Sequence, residues 1–152
     1  MKHLILQVGK TTDARLTSLV AEYCDRISHY LSVEWQTVEP SNNKQHDLQR
    51  REEGERLLKR MKDADYVVLL DEAGSEYRST ELADWLRRKL NSGRRIVFVI
   101  GGAYGFSESV YARANEKISL SRITFSHQLV RLVFAEQLYR VCTILHGESY
   151  HH

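Results

Sequence analysis

Two short runs of the chain limit its fold more than any other feature. Tyr66-Val67-Val68-Leu69-Leu70 and Ile96-Val97-Phe98-Val99-Ile100 are apolar at every position. A strand with one wet face alternates apolar and polar side chains, whereas an unbroken apolar strand must be covered on both faces. Neither run approaches the ~20 apolar residues that a membrane-crossing helix needs. Both read as inner strands of a parallel sheet with helices on either side.

The remaining segments supply those helices. Residues 2–9 read as a first strand closed by Gly9. Thr12 can cap a helix over residues 12–31, with Leu16, Leu19, Val20, Tyr23 and Ile27 on one face. Residues 33–38 alternate as a second strand, and Pro40-Ser41-Asn42-Asn43 is a loop. A polar helix follows over 47–62. Beyond the first apolar run, Ser79 or Thr80 caps a helix carrying Leu82, Trp85, Leu86 and Leu90 that ends at Ser92-Gly93. Beyond the second, Ser107 caps a short helix over 108–115, residues 118–120 form a short last strand, and a long helix covers 127–145. Strands alternating with helices predict an α/β fold with a mostly parallel sheet flanked by helices.

The 152 residues, with no Gly/Ser linker, repeat or low-complexity tract, read as a single domain spanning 1–152. A chain of this length buries about 70% of its unfolded surface, enough for a core without staples. The last helix carries Leu129, Val130, Leu132, Val133, Phe134, Leu138, Val141, Cys142, Ile144 and Leu145 around most of its circumference. A helix apolar on nearly all sides has to be covered on nearly all sides. In so short a chain, this predicts cover from a second copy, a homodimer.

Lys plus Arg total 22 against 20 Asp plus Glu, a net +2 that excludes a polybasic protein and an acidic disordered one. The charge is uneven. Residues 41–62 hold seven Lys/Arg against four acids, and residues 117–152 hold four against two, while the other segments are net acidic. A solvated face explains either basic segment alone; together with aromatic and histidine neighbours they make an RNA surface plausible. Cys24 and Cys142 are too few for a disulfide scaffold and lack metal-ligand spacing, so both read as small buried side chains and no metal is expected. The first apolar run is short and broken by Gln7, unlike a signal peptide. The expectation is a cytoplasmic protein with no membrane partner.

Three motifs bear on chemistry. Gly101-Gly102-Ala103-Tyr104-Gly105-Phe106-Ser107 follows a buried strand and precedes a helix, where open α/β sheets bind ligands. It is neither the dinucleotide fingerprint nor a P-loop, so a tight turn and a binding loop both remain open. Leu120-Ser121-Arg122-Ile123-Thr124-Phe125-Ser126-His127 could read an adenine edge through its main chain; composition alone favours a plain connector with Ser126 as helix cap. His127, Arg131, Glu136, Gln137 and Arg140, with His146, Tyr150, His151 and His152, form a polar set on the last helix and tail. Glu136 and Arg140 can pair at i,i+4. An arginine in so apolar a helix needs an anion, carboxylate or phosphate. Asp71, at the end of a buried strand, is the best-placed lone acid.

Taken together, these motifs resemble one family. Val99-Ile100-Gly101-Gly102-x-x-Gly105, Leu120-Ser121-x-x-Thr124-Phe125-x-His127-Gln128-x-x-Arg131, Glu136-Gln137-x-Tyr139-Arg140 and Gly147-Glu148-x-Tyr150-His151 are similar to the RlmH methyltransferases of the SPOUT (α/β-knot) superfamily. The resemblance spans the whole chain and is most specific in the C-terminal third. It implies a C-terminal trefoil knot, which general topology rules would have discouraged, and a homodimer. It implies transfer of a methyl group from S-adenosyl-L-methionine to N3 of a pseudouridine in 23S ribosomal RNA, on the large ribosomal subunit or assembled ribosome. By motif match, the methyl donor would contact Leu70, Gly101, Leu120, Ser121, Arg122, Ile123, Thr124 and Phe125. RNA and target-base handling would fall to His127, Arg140, Tyr150 and the tail. Ser126 stands where the family usually has proline, and His152 where it often has Lys or Arg. The competing readings are a SPOUT methyltransferase acting on another RNA, a non-catalytic RNA-binding module of the same fold, and a nucleotide-binding α/β protein unrelated to methylation.

Overall fold

A computed structural model describes residues 1–152. Five strands form one sheet in the order β2-β1-β4-β3-β5, and every pairing is parallel. They are β1 (His3–Val8), β2 (Val33–Val38), β3 (Tyr66–Glu76), β4 (Ile96–Ile100) and β5 (Glu116–Ser119). Between them run α1 (Ala14–Ile27), α2 (His46–Leu58), α3 (Ser79–Asn91) and α4 (Glu108–Arg113), and α5 (Leu129–Leu145) closes the chain. The two apolar runs lie side by side in the sheet interior, with Val67 paired to Val97 and Leu69 to Val99.

Both faces of the sheet are covered, as those runs require. On one face α1, α3 and α5 bury Ile27, Ala83, Trp85, Leu86, Phe134 and Leu138 against Ile5, Val68, Phe98 and Ile100. On the other, Leu57 of α2, Val110 of α4 and Phe106 cover Leu4, Leu6, Val67, Val97 and Val99. Gln7 interrupts the first run but is not left unpaired. Its amide donates to Thr37 Oγ1 (3.1 Å) and accepts from Trp35 Nε1 (2.8 Å), which ties β1 to the edge strand.

Several boundaries differ from the sequence expectation, each for a local reason. Asp13, not Thr12, caps α1 by accepting the Arg15 N–H, and the helix stops at Ile27 rather than residue 31. Helix α2 ends at Leu58, short of residue 62. Arg78 precedes α3, with its N–H bonded to the Glu81 carboxylate. Strand β3 runs past Leu70 to Glu76 through an irregularity in which Ile118 faces both Leu70 and Ser75. Asp71 makes the kink by accepting the Ala73 N–H. Gly74 then passes so close to β5 that a Cβ there would stand 2.6 Å from the Lys117 carbonyl carbon. The segment Asp-Glu-Ala-Gly-Ser-Glu carries no apolar pattern, so the strand was invisible there.

The last helix needs less outside cover than its composition suggests. The sheet lies beneath it, α1 and α3 flank it, and of its apolar residues only Leu129 is exposed. Leu132, Val133, Glu136 and Arg140 stay half-buried beside Leu129 on one stripe. A second copy would therefore meet a stripe of α5, not its whole circumference. No helix of the chain is long and apolar enough to cross a membrane.

Candidate active site

Three chain segments leave the sheet at neighbouring carboxyl ends and enclose one cavity of about 650 Å³. The first is the irregular stretch of β3 after Leu70, which turns through Asp71, Glu72 and Ala73. The second leaves β4 at Ile100 through Gly101, Gly102, Ala103, Gly105 and Phe106. The third leaves β5 through Leu120, Ser121, Ile123, Thr124, Phe125, Ser126 and His127, reaching Val130 on the first turn of α5. This is the edge at which open α/β sheets take ligands, and the volume suits a drug-sized molecule. Of the eight residues matched to the methyl donor, seven line this cavity. Arg122 does not; its side chain is 85% exposed and pairs with Glu76 at 3.0 Å.

The walls explain why these residue types occupy these places. Leu70, Ile100, Phe106, Leu120, Phe125 and Val130 give an apolar lining. Gly101 packs closely on Phe106, since a Cβ there would lie 3.1 Å from the ring, closer than an ordinary contact. Part of the main chain of the 120–128 loop has no partner within the chain. Ile123 N–H is taken by Ser121 Oγ, but the N–H groups from Thr124 to His127 donate to nothing in the chain. Ser126 Oγ accepts the Leu129 N–H (3.1 Å), but Gln128 is the residue at the cap position and makes no side-chain cap bond; the helix begins at Leu129, two residues later than expected. Tyr111, on α4, donates to the Asp71 carboxylate, and burial together with that bond pushes its phenol up to about 12. Phe106 belongs to the glycine motif, but Tyr111 had no sequence signal as a site residue; only its place on α4, beside the strand ends, brings it in.

Arg140 and Tyr150 lie elsewhere. Arg140 Nη2 pairs with Glu136 at 2.7 Å, its Nη1 meets His151 Nδ1 at 3.2 Å, and its guanidinium sits 4.8 Å from the Tyr150 ring. The anionic partner that the sequence demanded is thus Glu136, which also accepts the Tyr150 hydroxyl at 3.1 Å. Burial, then hydrogen bonding with Tyr23 and Glu136, raises the Tyr150 phenol above its ordinary range. His127 lines the cavity, whereas Arg140 is eleven residues into α5, roughly 16 Å along the axis at 1.5 Å per residue. Within one chain, these two groups sit at separate places.

The fully buried arginine is a different one, Arg131, with 0% exposure. It donates to Val8 O (2.7 Å) and Thr11 Oγ1 (2.8 Å) and leaves Nε unpartnered; burial lowers its proton affinity. Gln128 adds two bonds to the same loop, at Thr12 N and Lys10 O. These contacts lock the start of α5, and with it His127, against the end of β1. The sequence showed Arg131 within a motif but not that its guanidinium was enclosed.

A family model described as "Predicted SPOUT methyltransferase" matches residues 1–151. Curated relatives carry the name "Ribosomal RNA large subunit methyltransferase H". That of Cytophaga hutchinsonii is 48% identical over 155 residues, covering 100% of both chains. That of Bacteroides thetaiotaomicron is 46% identical over 156 residues, covering 100% of this chain and 99% of the relative. That of Christiangramia forsetii is 46% identical over 149 residues, covering 95% of each.

Proposed function

The chain belongs to the SPOUT methyltransferase family, and on that premise we propose that it transfers a methyl group from S-adenosylmethionine to large-subunit ribosomal RNA, at N3 of a pseudouridine in 23S RNA. The observation that carries this reading is the cavity built from the ends of β3, β4 and β5, which gathers seven of the eight residues matched to the methyl donor. The donor fits that lining. The apolar walls suit an adenine ring and a thioether chain, the unused N–H groups of residues 124–127 suit ring nitrogens, and Asp71 and Glu72 suit a cationic ligand. S-adenosylmethionine supplies an electrophilic methyl, so the protein's chief task is alignment. Leu70, Gly101 and the 120–125 loop hold the donor. His127, which lines the cavity, would be the candidate to accept the N3 proton, with water as the other acceptor. Arg140 and Tyr150 hold RNA, and the chain acts in the cytoplasm, where ribosomes are.

Arg140 stands roughly 16 Å along the α5 axis from the end of the helix that borders the cavity, so this reading assigns the two groups of one chain to different sites. Two copies joined antiparallel along the Leu129–Leu132–Val133–Glu136 stripe would bring each Arg140–Tyr150 cluster towards the other's cavity. The chain therefore works as a homodimer with shared sites, and its C-terminal part, crossing from β5 back to β1, is tied in the family's trefoil knot.

Titration calorimetry with S-adenosylmethionine tests the cavity assignment. Wild-type protein should bind, and Gly101→Val, which drives a branched side chain into Phe106, should weaken binding about ten-fold or more, the scale of an overpacked wall. Absence of binding by the wild type would leave only a non-catalytic module of this fold.

A further inference from the structure

One exposed feature beside the cavity lies outside its lining. Tyr104, at the tip of the glycine loop, stacks on His46, the first residue of α2, with ring centroids 3.7 Å apart and planes within 21°. His46 covers one face of the tyrosine, yet Tyr104 remains 48% exposed. The pair is held in place: Arg50, one turn into α2, donates to Tyr104 O at 3.3 Å and also pairs with Asp47. Glu53 on the same helix is buried and lies under Gly102, where a Cβ would stand 3.1 Å from Oε1. The loop lining the cavity and the basic helix thus form one fixed unit. Lys44, two residues before α2, and Arg51, on α2, are exposed and make no ion pair within the chain.

Large exposed aromatic rings held rigid beside unpaired cations match single-stranded RNA. A nucleobase can stack on the ring, and the adjoining phosphates meet the cations. Aliphatic protein partners would need an apolar patch, and this one is ringed by charge. The location matters, because Ala103 and Gly105, either side of Tyr104, line the cavity.

We propose that the His46–Tyr104 stack, with Lys44 and Arg51, is a docking platform for an unpaired nucleotide flanking the target base. This rests on the RNA-methyltransferase reading, and the platform's role is substrate affinity rather than chemistry.

The test is co-sedimentation of the protein with ribosomes, read as the ribosome concentration that binds half of it. Tyr104→Ala should raise that concentration at least about five-fold, the lower end for loss of one base–aromatic stack. Tyr104→Phe, which keeps the ring, should restore binding. The double variant His46→Ala/Arg51→Glu, which changes no residue of the glycine loop, should weaken binding in the same way. S-adenosylmethionine affinity by calorimetry and oligomeric state by sedimentation velocity should stay as in the wild type. Equal ribosome binding by wild type and Tyr104→Ala overturns the platform. So does a matching loss of methyl-donor affinity, or a shift in oligomeric state, since either would make Tyr104 a loop or subunit contact. Wild-type protein that binds ribosomes through Tyr104 but methylates nothing would overturn the enzymatic reading alone. Wild-type protein that does not bind ribosomes overturns the platform.

Discussion

Arg131 and His127 show how single side chains are committed. A buried guanidinium without a carboxylate is costly unless backbone and hydroxyl acceptors replace water, which Val8 O and Thr11 Oγ1 do. Lysine has the charge but not the fork, so Arg131→Lys should lose one of the two bonds. The loss should destabilise the protein by about 2 kcal/mol in urea unfolding. His127, one turn before Arg131, is positioned by that anchorage. If it accepts the N3 proton, His127→Ala should lower kcat about a hundred-fold or more with methyl-donor affinity unchanged; full turnover at saturating substrate would remove it from that role. The sequence displayed both residues in one motif. It could not display which would be enclosed, because burial depends on the β1 loop, over a hundred residues away.

At the scale of elements, the strands were the readable part. Unbroken apolar runs determine β3 and β4 because two-sided burial leaves no polar position, and alternation marks β2 at the edge with its half-wet face. Caps and strand ends were less readable, since Asp13, Gly74 and Arg78 act through single bonds or a close approach that no periodicity records. Asp65 is such a local device. It lies at the entrance to β3, 2% exposed, gripped by Arg95 Nε and Nη2 at 2.9 and 2.6 Å and by the Lys62 N–H at 2.7 Å. Burial alone would raise its carboxyl, but the Arg95 fork and the Lys62 bond outweigh it and hold the carboxyl below its ordinary value. The unfolded chain then takes up a proton before the folded one as pH falls. The stabilisation is complete above about pH 4 and fades as pH drops through the lowered folded value. Asp65→Asn should cost about 3 kcal/mol at pH 7. The gap between variant and wild type should narrow below about pH 4 in acid-unfolding curves.

For the whole molecule, the decisive relation is between the two ends of α5. The C-terminal motifs made the family legible, and the cavity geometry gathers most of the matched residues. The separation of His127 from Arg140 was not legible, because a list of motif residues carries no distances. If the site is shared between subunits, His127→Ala and Arg140→Ala are each inactive alone. Co-expressed, they should regain activity, since a mixed dimer holds one cavity with both groups intact; failure to regain any would contradict sharing. The central claim is the reaction itself. Its most direct test is transfer of labelled methyl from S-adenosylmethionine to ribosomes that carry or lack the 23S pseudouridine. Label should enter large-subunit RNA only when the pseudouridine is present. Equal labelling without it, or preferential labelling of free transfer RNA, would contradict the assignment.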